Sequence, residues 1–485
     1  MQNIQRRTFI AGLGALVVGA FDPVQRTWIP EAQAAKLPGR LPRLDGRVVT
    51  DQATLAAFST DAGNFIQKVP FAVLEPGSVD DIAKMVRFCK RHGIKVAARG
   101  QGHTTFGQSL VDGGLSIDMS KLAEIHSICA TSADVGAGLR WRELVAATIP
   151  QGLTPPVLTG YIGLSIGGTL SVGGISSGNA RGAQVDHVRE LEVVTGEGDI
   201  VTCSEAKHRD LFEAVLAGLG QCGIITRAVV DLVPAPPVVR VYTLNYTDNA
   251  LFFSDMRRLL RRGEFDDVFT LWVPDGAGGW VYGLNAVKFY DPASPPNDAQ
   301  LLRELSYDQS SLDVQDVPYH PYVLRVDGAI DFFRSIGQWD GVQHPWFDVF
   351  LPGSAVEDYV GEVIPQLTPE DVGPTGFLLL FPQKRSRFRR PFLRVPDEEW
   401  VFLFDILTAA PGPGQDPDFS ARMLARNREL FERAAAVGGK RYPIGTLTFT
   451  RWDWIAHYGR AYQRFVGLKR RYDSGGILTP GPGIF

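Results

Sequence analysis

Two glycine-rich stretches constrain this chain more than any other feature. The first, "AARGQGHTTFGQSL" at residues 97–110, follows the strand-like run "IKVAAR" and sets Gly100, Gly102 and Gly107 around one histidine, His103. The second, "GLSIGGTLSVGGISSG" at residues 163–178, places Gly167, Gly168, Gly173 and Gly174 among serines and threonines. Small residues after a strand let backbone N–H groups converge on one ligand, the arrangement that holds a pyrophosphate. The first stretch reads R-G-x-G-H-x-x-x-G-Q and lacks the spacing of a Rossmann G-x-G-x-x-G loop. Either stretch alone is also compatible with a tight turn inside a sheet. Two of them, about sixty residues apart, suit a long dinucleotide with an extended pyrophosphate.

The remaining sequence is that of a large globular chain. Its 485 residues, 45% of them hydrophobic, can bury the cores of two or three domains. The formal net charge of −4 comes with no basic stripe, which argues against a nucleic-acid partner. Cys89, Cys129, Cys203 and Cys222 include no C-x-x-C pair and no histidine at zinc spacing, so no metal site is expected.

The N-terminus has a different texture. Arg6 and Arg7 precede an apolar run over residues 9–21, and Ala32, Gln33 and Ala34 supply an A-x-A site. As a helix the run would reach only about 20 Å, short of a bilayer core of ~30 Å. Twin arginines, a short apolar segment and a small-residue site look like a Tat export signal over residues 1–35. The expectation is a periplasmic or secreted protein with no membrane anchor after processing near Ala34. A buried N-terminal helix is the plain alternative.

Helices and strands then alternate without a strict period, which indicates α+β rather than a regular doubly wound sheet. Residues 75–93 read as a helix capped by Ser78, with Asp81 three residues on, an apolar stripe of Ile82, Met85, Val86 and Cys89, and a stop at Gly93. "RELEVVTGEGDIVTCS" reads as a hairpin. Beyond Pro234, Pro236 and Pro237 come aromatic-rich runs ("DVFTLWV", "WVYGLNAVKFY", "GFLLLFP", "WVFLFDIL") separated by Pro/Gly loops. These indicate an antiparallel sheet with flanking helices over residues 234–443. The last forty or so residues read as one helix and a Gly/Pro-rich tail.

"AARGQGHTTFGQ", "LSIGGTLSVGGIS", "ELEVVTGEGDIVTCS" and "LFEAVLAGLGQCGIITRA" together resemble the flavin domain of the cytokinin dehydrogenases, in the vanillyl-alcohol oxidase and berberine-bridge superfamily. "HPWFDVFLP" and "RRYDSGGILTPGPGIF" extend the likeness to the C-terminus. The resemblance implies a two-subdomain PCMH-type FAD-binding domain over residues 36–233, an inserted substrate domain over 234–443, and a segment 444–485 returning to the FAD domain. It also implies FAD bonded through its 8α-methyl to His103. Gly100, Gln101, Gly102, Thr104, Gln108, Ser165, Ser171, Ile175 and Ile225 are the further FAD contacts it implies. Tyr161 stands where some relatives carry a second, cysteinyl link, so a single bond is expected.

The same likeness exposes a departure. Family members oxidise a C–H bond next to nitrogen, assisted by the aspartate of a T-D-Y triplet. This chain has Thr159, Gly160 and Tyr161, and Phe269 falls where plant members carry an acidic adenine contact. Charge-assisted hydrogen bonds of about 1.5–3 kcal/mol each are thereby lost, which argues against an isoprenoid adenine cytokinin as substrate. Asp405, alone in the apolar run "WVFLFDIL", is the candidate replacement base, because a lone buried carboxylate is costly unless used. Solvent exposure or an arginine partner would explain it equally well. Asp267, Asp348 and His344 are rival polar groups, and Trp346, Trp400 and Phe402 are candidate pocket walls. The expected activity is hydride removal from a small-molecule amine or alcohol, with oxygen or another acceptor reoxidising the flavin. A berberine-bridge-like oxidase of sugars or alkaloids and an inactive flavin-binding protein remain alternatives.

Overall fold

The structure is a computed structural model describing residues 17–22, 27–30, 40–276 and 279–485. Arg6, Arg7, Ala32, Gln33 and Ala34 lie outside the described residues. The described end of the N-terminal apolar run is extended, not helical: Val18–Asp22 pairs antiparallel with Thr27–Pro30. Phe21 supplies the reason, because the strand turns its ring onto Phe88 and His92, with ring centroids 6.4 and 5.8 Å away. Among the described residues no helix is long and apolar enough to cross a membrane.

Two sheets carry the glycine-rich stretches. A four-stranded sheet has the order Arg47–Val49, Ala72–Glu75, Leu115–Asp118, Val96–Arg99, its last three strands parallel. Helix Val79–His92 buries Ile82, Met85, Val86 and Cys89 fully, in one core with Leu74 and Leu115 of this sheet and Leu191 and Val193 of the next. Ser78 Oγ accepts from the backbone N–H of Asp81, and Gly93 ends the helix at φ 62°. The Asp81 carboxylate does not complete a capping box. It accepts instead from the backbone N–H groups of Asp45, Gly46 and Gly77, 2.7–2.9 Å away, and pins the loop before the first strand. The five-stranded sheet contains the expected hairpin, Val188–Val194 with Ile200–Ser204.

The second glycine-rich stretch is not a loop throughout. Residues Ile166–Val172 form a helix, because Ile166, Thr169 and Leu170 share one buried face. Gly167 permits this: a Cβ there would lie 2.8 Å from the Ala137 Cβ. Gly173 and Gly174, at φ 148° and 75°, then end the helix in conformations that favour glycine.

The aromatic-rich runs all enter one eight-stranded antiparallel sheet. Its central strands in order are Val238–Tyr246, Trp280–Tyr290, Asp267–Pro274, Phe377–Lys384, Trp400–Leu407 and Phe347–Pro352. Strand side chains alternate between faces with period 2. Tyr242, Trp272, Leu378, Leu380, Phe404 and Ile406 pack on one face in a core that includes Phe252 and Met256 of helix Asn249–Arg262 and Val360 of helix Val356–Val363. Their neighbours in sequence turn to the other face.

The C-terminal segment holds two helices rather than one, Arg451–Tyr458 and Ala461–Tyr472, separated at Gly459 (φ 53°). Its tail returns to the first glycine loop: the Val96 N–H donates to Ile477 O (2.9 Å) and the Thr479 N–H to Val96 O (2.8 Å).

Candidate active site

Strand Val96–Arg99 delivers the chain into a loop with no room for extra side chains. A Cβ on Gly100 would lie 1.9 Å from Ser165 Oγ, and Gly102 and Gly107 adopt φ of 63° and 73°. The two glycine-rich stretches therefore touch, which a non-glycine residue at position 100 would prevent. Asp61 Oδ2 braces the loop, accepting from Thr104 Oγ1 (2.8 Å) and the Gly107 N–H (2.6 Å). Burial raises the Asp61 carboxyl to about 6 against the opposing pull of these hydrogen bonds and of Arg99. Gln108 ties the loop to the C-terminal segment, its Nε2 donating to Ile444 O and Gly445 O at 3.1 Å each. Thr104 and Gln108 thus use their polar groups to shape the loop.

His103 projects into an aromatic enclosure. Its ring centroid lies 5.2 Å from that of Tyr161, 5.3 Å from Trp346, and 6.2 Å from Trp339, on which it stacks. Burial lowers its pKa to about 3, with His344 and Arg334 adding to the effect, so the imidazole is neutral at physiological pH. His344 lies against the same tryptophans. Its Nδ1 is 2.9 Å from Ala62 O, which can only accept, so the proton sits on Nδ1. The buried Nε2 then carries a lone pair with no hydrogen-bond partner among the described residues.

A cavity of about 860 Å³ opens beside these rings. All ten expected cofactor contacts line it: Gly100, Gln101, Gly102, His103, Thr104 and Gln108 from the first stretch, Ser165, Ser171 and Ile175 from the second, and Ile225. Gly160, Tyr161 and Trp346 also line it. A Cβ on Gly160 would meet only Val326 Cγ2, 3.7 Å away.

The free face of the eight-stranded sheet forms the opposite wall, with Phe269, Leu271, Leu379, Phe381, Leu403 and Asp405 at alternating positions. Arg325 places its guanidinium 5.2 Å from the Phe269 ring centroid. Asp405 is neither solvent-facing nor paired with an arginine. It is 4% exposed and opposite Asp348 in the antiparallel register, itself 5% exposed. Both line the cavity. The register sets the two carboxyls side by side on the cavity face, near enough to act on each other. Burial and the Asp348 charge raise the Asp405 carboxyl well above its usual range, and burial raises Asp348 despite Arg441 nearby.

The other candidates separate. Asp267 lies outside this cavity and accepts from Tyr322 Oη (2.9 Å) and Ser177 Oγ (3.1 Å), which makes it a structural acid. Phe402 and Trp400 project to the helix-covered face, and neither lines the cavity. Sequence reasoning missed Trp339, which comes from a loop without periodicity. It also missed Thr243 and Asn285, which period-2 alternation on their strands would have placed.

Residues 70–204 match the FAD binding domain family, and residues 264–485 match the family described as "Cytokinin dehydrogenase 1, FAD and cytokinin binding". The chain is 36% identical over 89% of its length to an uncharacterized oxidoreductase, ORF5 in the fasciation locus of Rhodococcoides fascians, covering 97% of that protein. It is 33% identical to cytokinin dehydrogenase 4 of Arabidopsis thaliana (90% of this chain, 92% of the relative). With cytokinin dehydrogenase 4 of Oryza sativa subsp. japonica the identity is 34% (91% and 90%). With both glycine-rich stretches at one cavity and likeness along nearly the whole chain, this protein belongs to the cytokinin dehydrogenase family of FAD-linked oxidoreductases.

Proposed function

We propose that FAD is bonded covalently to His103 and accepts hydride from a carbon bearing an amine or alcohol, in a protein exported through the Tat route. The observation that carries this reading is the neutral, buried His103 ring at the meeting point of the two glycine-rich stretches. An unprotonated imidazole nitrogen is the nucleophile that attachment requires. We also assign the four- and five-stranded sheets to two FAD-binding subdomains within residues 36–233 and 444–485, and the eight-stranded sheet to the substrate domain.

The residues present fit the cofactor. The contact of Gly100 with Ser165 leaves backbone rather than side chains facing the cavity, as a pyrophosphate needs. Bound FAD would supply the two-electron hydride acceptor. The chain supplies the rest: apolar walls exclude water, Tyr161, Trp339 and Trp346 enclose His103, and the sheet face fixes where a substrate lies. Gly160 and Phe269 offer no carboxylate, so isopentenyl-adenine is a poor fit.

Anaerobic mixing of the purified protein with amines, alcohols and sugars tests the reading. Bleaching of the bound flavin by an amine or alcohol is expected. No bleaching by any of them would leave a flavin-binding protein without this activity.

A further inference from the structure

The Asp348–Asp405 pair stands among the apolar side chains of Leu379, Phe381 and Leu403 on the cavity face of the sheet, while Thr243, Asn285, Asp313 and Gln315 belong to other strands of that face. Asp348 Oδ2 and Asp405 Oδ1 are buried and accept no hydrogen bond among the described residues. Arg441, on the strand beside Phe347–Pro352, offsets part of the charge from behind. It does not line the cavity, and its guanidinium donates to Gly445 O (3.0 Å) rather than to either carboxylate. Two buried carboxyls that share a proton carry one net negative charge with acceptor atoms left over. Such an arrangement destabilises the fold unless a ligand completes it.

We propose that Asp348 and Asp405 act as one carboxyl pair that anchors the substrate as an ammonium and takes its proton, which selects apolar primary or secondary amines over alcohols. The proposal rests on the hydride chemistry above. The bound ammonium transfers one N–H proton to the Asp348 carboxylate, leaving two protonated carboxyls and a neutral amine. The freed nitrogen lone pair forms the C=N bond as the adjacent C–H bond breaks and its hydrogen leaves with both electrons for the hydride acceptor. The product is an iminium, which water hydrolyses to a carbonyl compound and an ammonium ion. The pair then releases its extra proton to solvent. Neither an alcohol nor a hydrocarbon can offer the pair a cation.

The test uses the full protein and its D348N and D405N variants, with benzylamine, benzyl alcohol and toluene as probes in titration calorimetry. Benzylamine should bind at least tenfold tighter than either neutral probe. Each substitution should weaken benzylamine at least tenfold and leave toluene unchanged. Flavin content should not change, and the melting temperature of D348N should hold or rise, since an asparagine there removes a buried charge without changing shape. Equal binding of benzylamine and benzyl alcohol would overturn the proposal. So would variants that bind benzylamine like the parent, or that only melt earlier. If the protein holds no flavin the hydride reading fails separately. The pair is then judged by the infrared band of its protonated carboxyl, which benzylamine must shift and D405N must abolish; an unmoved band overturns the pair as well.

Discussion

The Tyr161 ring lies 5.2 Å from the His103 ring, tilted by 48°, at the position where a second cofactor link would need sulfur. A phenol hydroxyl is a poor substitute for a thiol in such a bond, and Arg334 lies near enough to act on it electrostatically. A single tether is therefore expected. The protein should stay yellow after acid precipitation, with the flavin on the tryptic peptide containing His103. His103→Ala should release its flavin on denaturation and turn over more slowly. Free FAD in the acid supernatant of the parent would refute the tether.

Gly160 borders the cavity with open space beyond its Cα and ordinary backbone geometry, so a side chain can be added without strain. Gly160→Asp would place a carboxylate beside Tyr161, where T-D-Y relatives carry one. One charge-assisted hydrogen bond of ~1.5–3 kcal/mol corresponds to about tenfold or more in kcat/KM. The substitution should raise turnover of isopentenyl-adenine by that order, from a slow start. Fast oxidation of isopentenyl-adenine by the unmodified protein would show that Gly160 is no handicap.

The acid pair makes stability depend on pH in a defined direction. The Asp405 carboxyl is raised in the folded state by burial and by Asp348, with Arg441 and Tyr442 the other ionisable groups beside the pair. A raised acid contributes stability that is complete below its unfolded value near ~4. That contribution is lost as pH rises through the folded value. The melting temperature of the parent should therefore fall more steeply than that of D405N as pH rises from about 4 to 9. Parallel curves would mean that the pair is ionised throughout.

Export can be read from processing. Replacing Arg6 and Arg7 with lysines should leave full-length protein in the cytoplasm, while the parent is cleaved near Ala34 and found outside it. Cell fractionation with N-terminal sequencing distinguishes the two. Continued export of the lysine variant would exclude the twin-arginine route.

Much of the architecture was legible because local signals agreed. Ser78, the apolar stripe and Gly93 bound helix Val79–His92 on their own. Both glycine stretches announced the cofactor side of the site. The face of Asp405 was not legible, because Trp400–Leu407 is apolar on both sides and alternation in a doubly buried strand leaves no pattern. Its partner lies 57 positions earlier, and only the register brings the two together. The helix Ile166–Val172 was hidden for a different reason: its Gly167 serves close packing on Ala137, where single-residue preference predicts a loop.

The eight-stranded sheet has one more consequence, for how such a protein can diversify. Consecutive residues on its central strands answer to separate demands: Phe404 and Ile406 hold the helices, while Leu403 and Asp405 meet whatever enters the cavity. A lineage can rewrite every second letter of these strands and change its diet without loosening its frame. A mutational scan along residues 400–407 should then oscillate, with thermal tolerance and substrate preference peaking out of phase by a single residue.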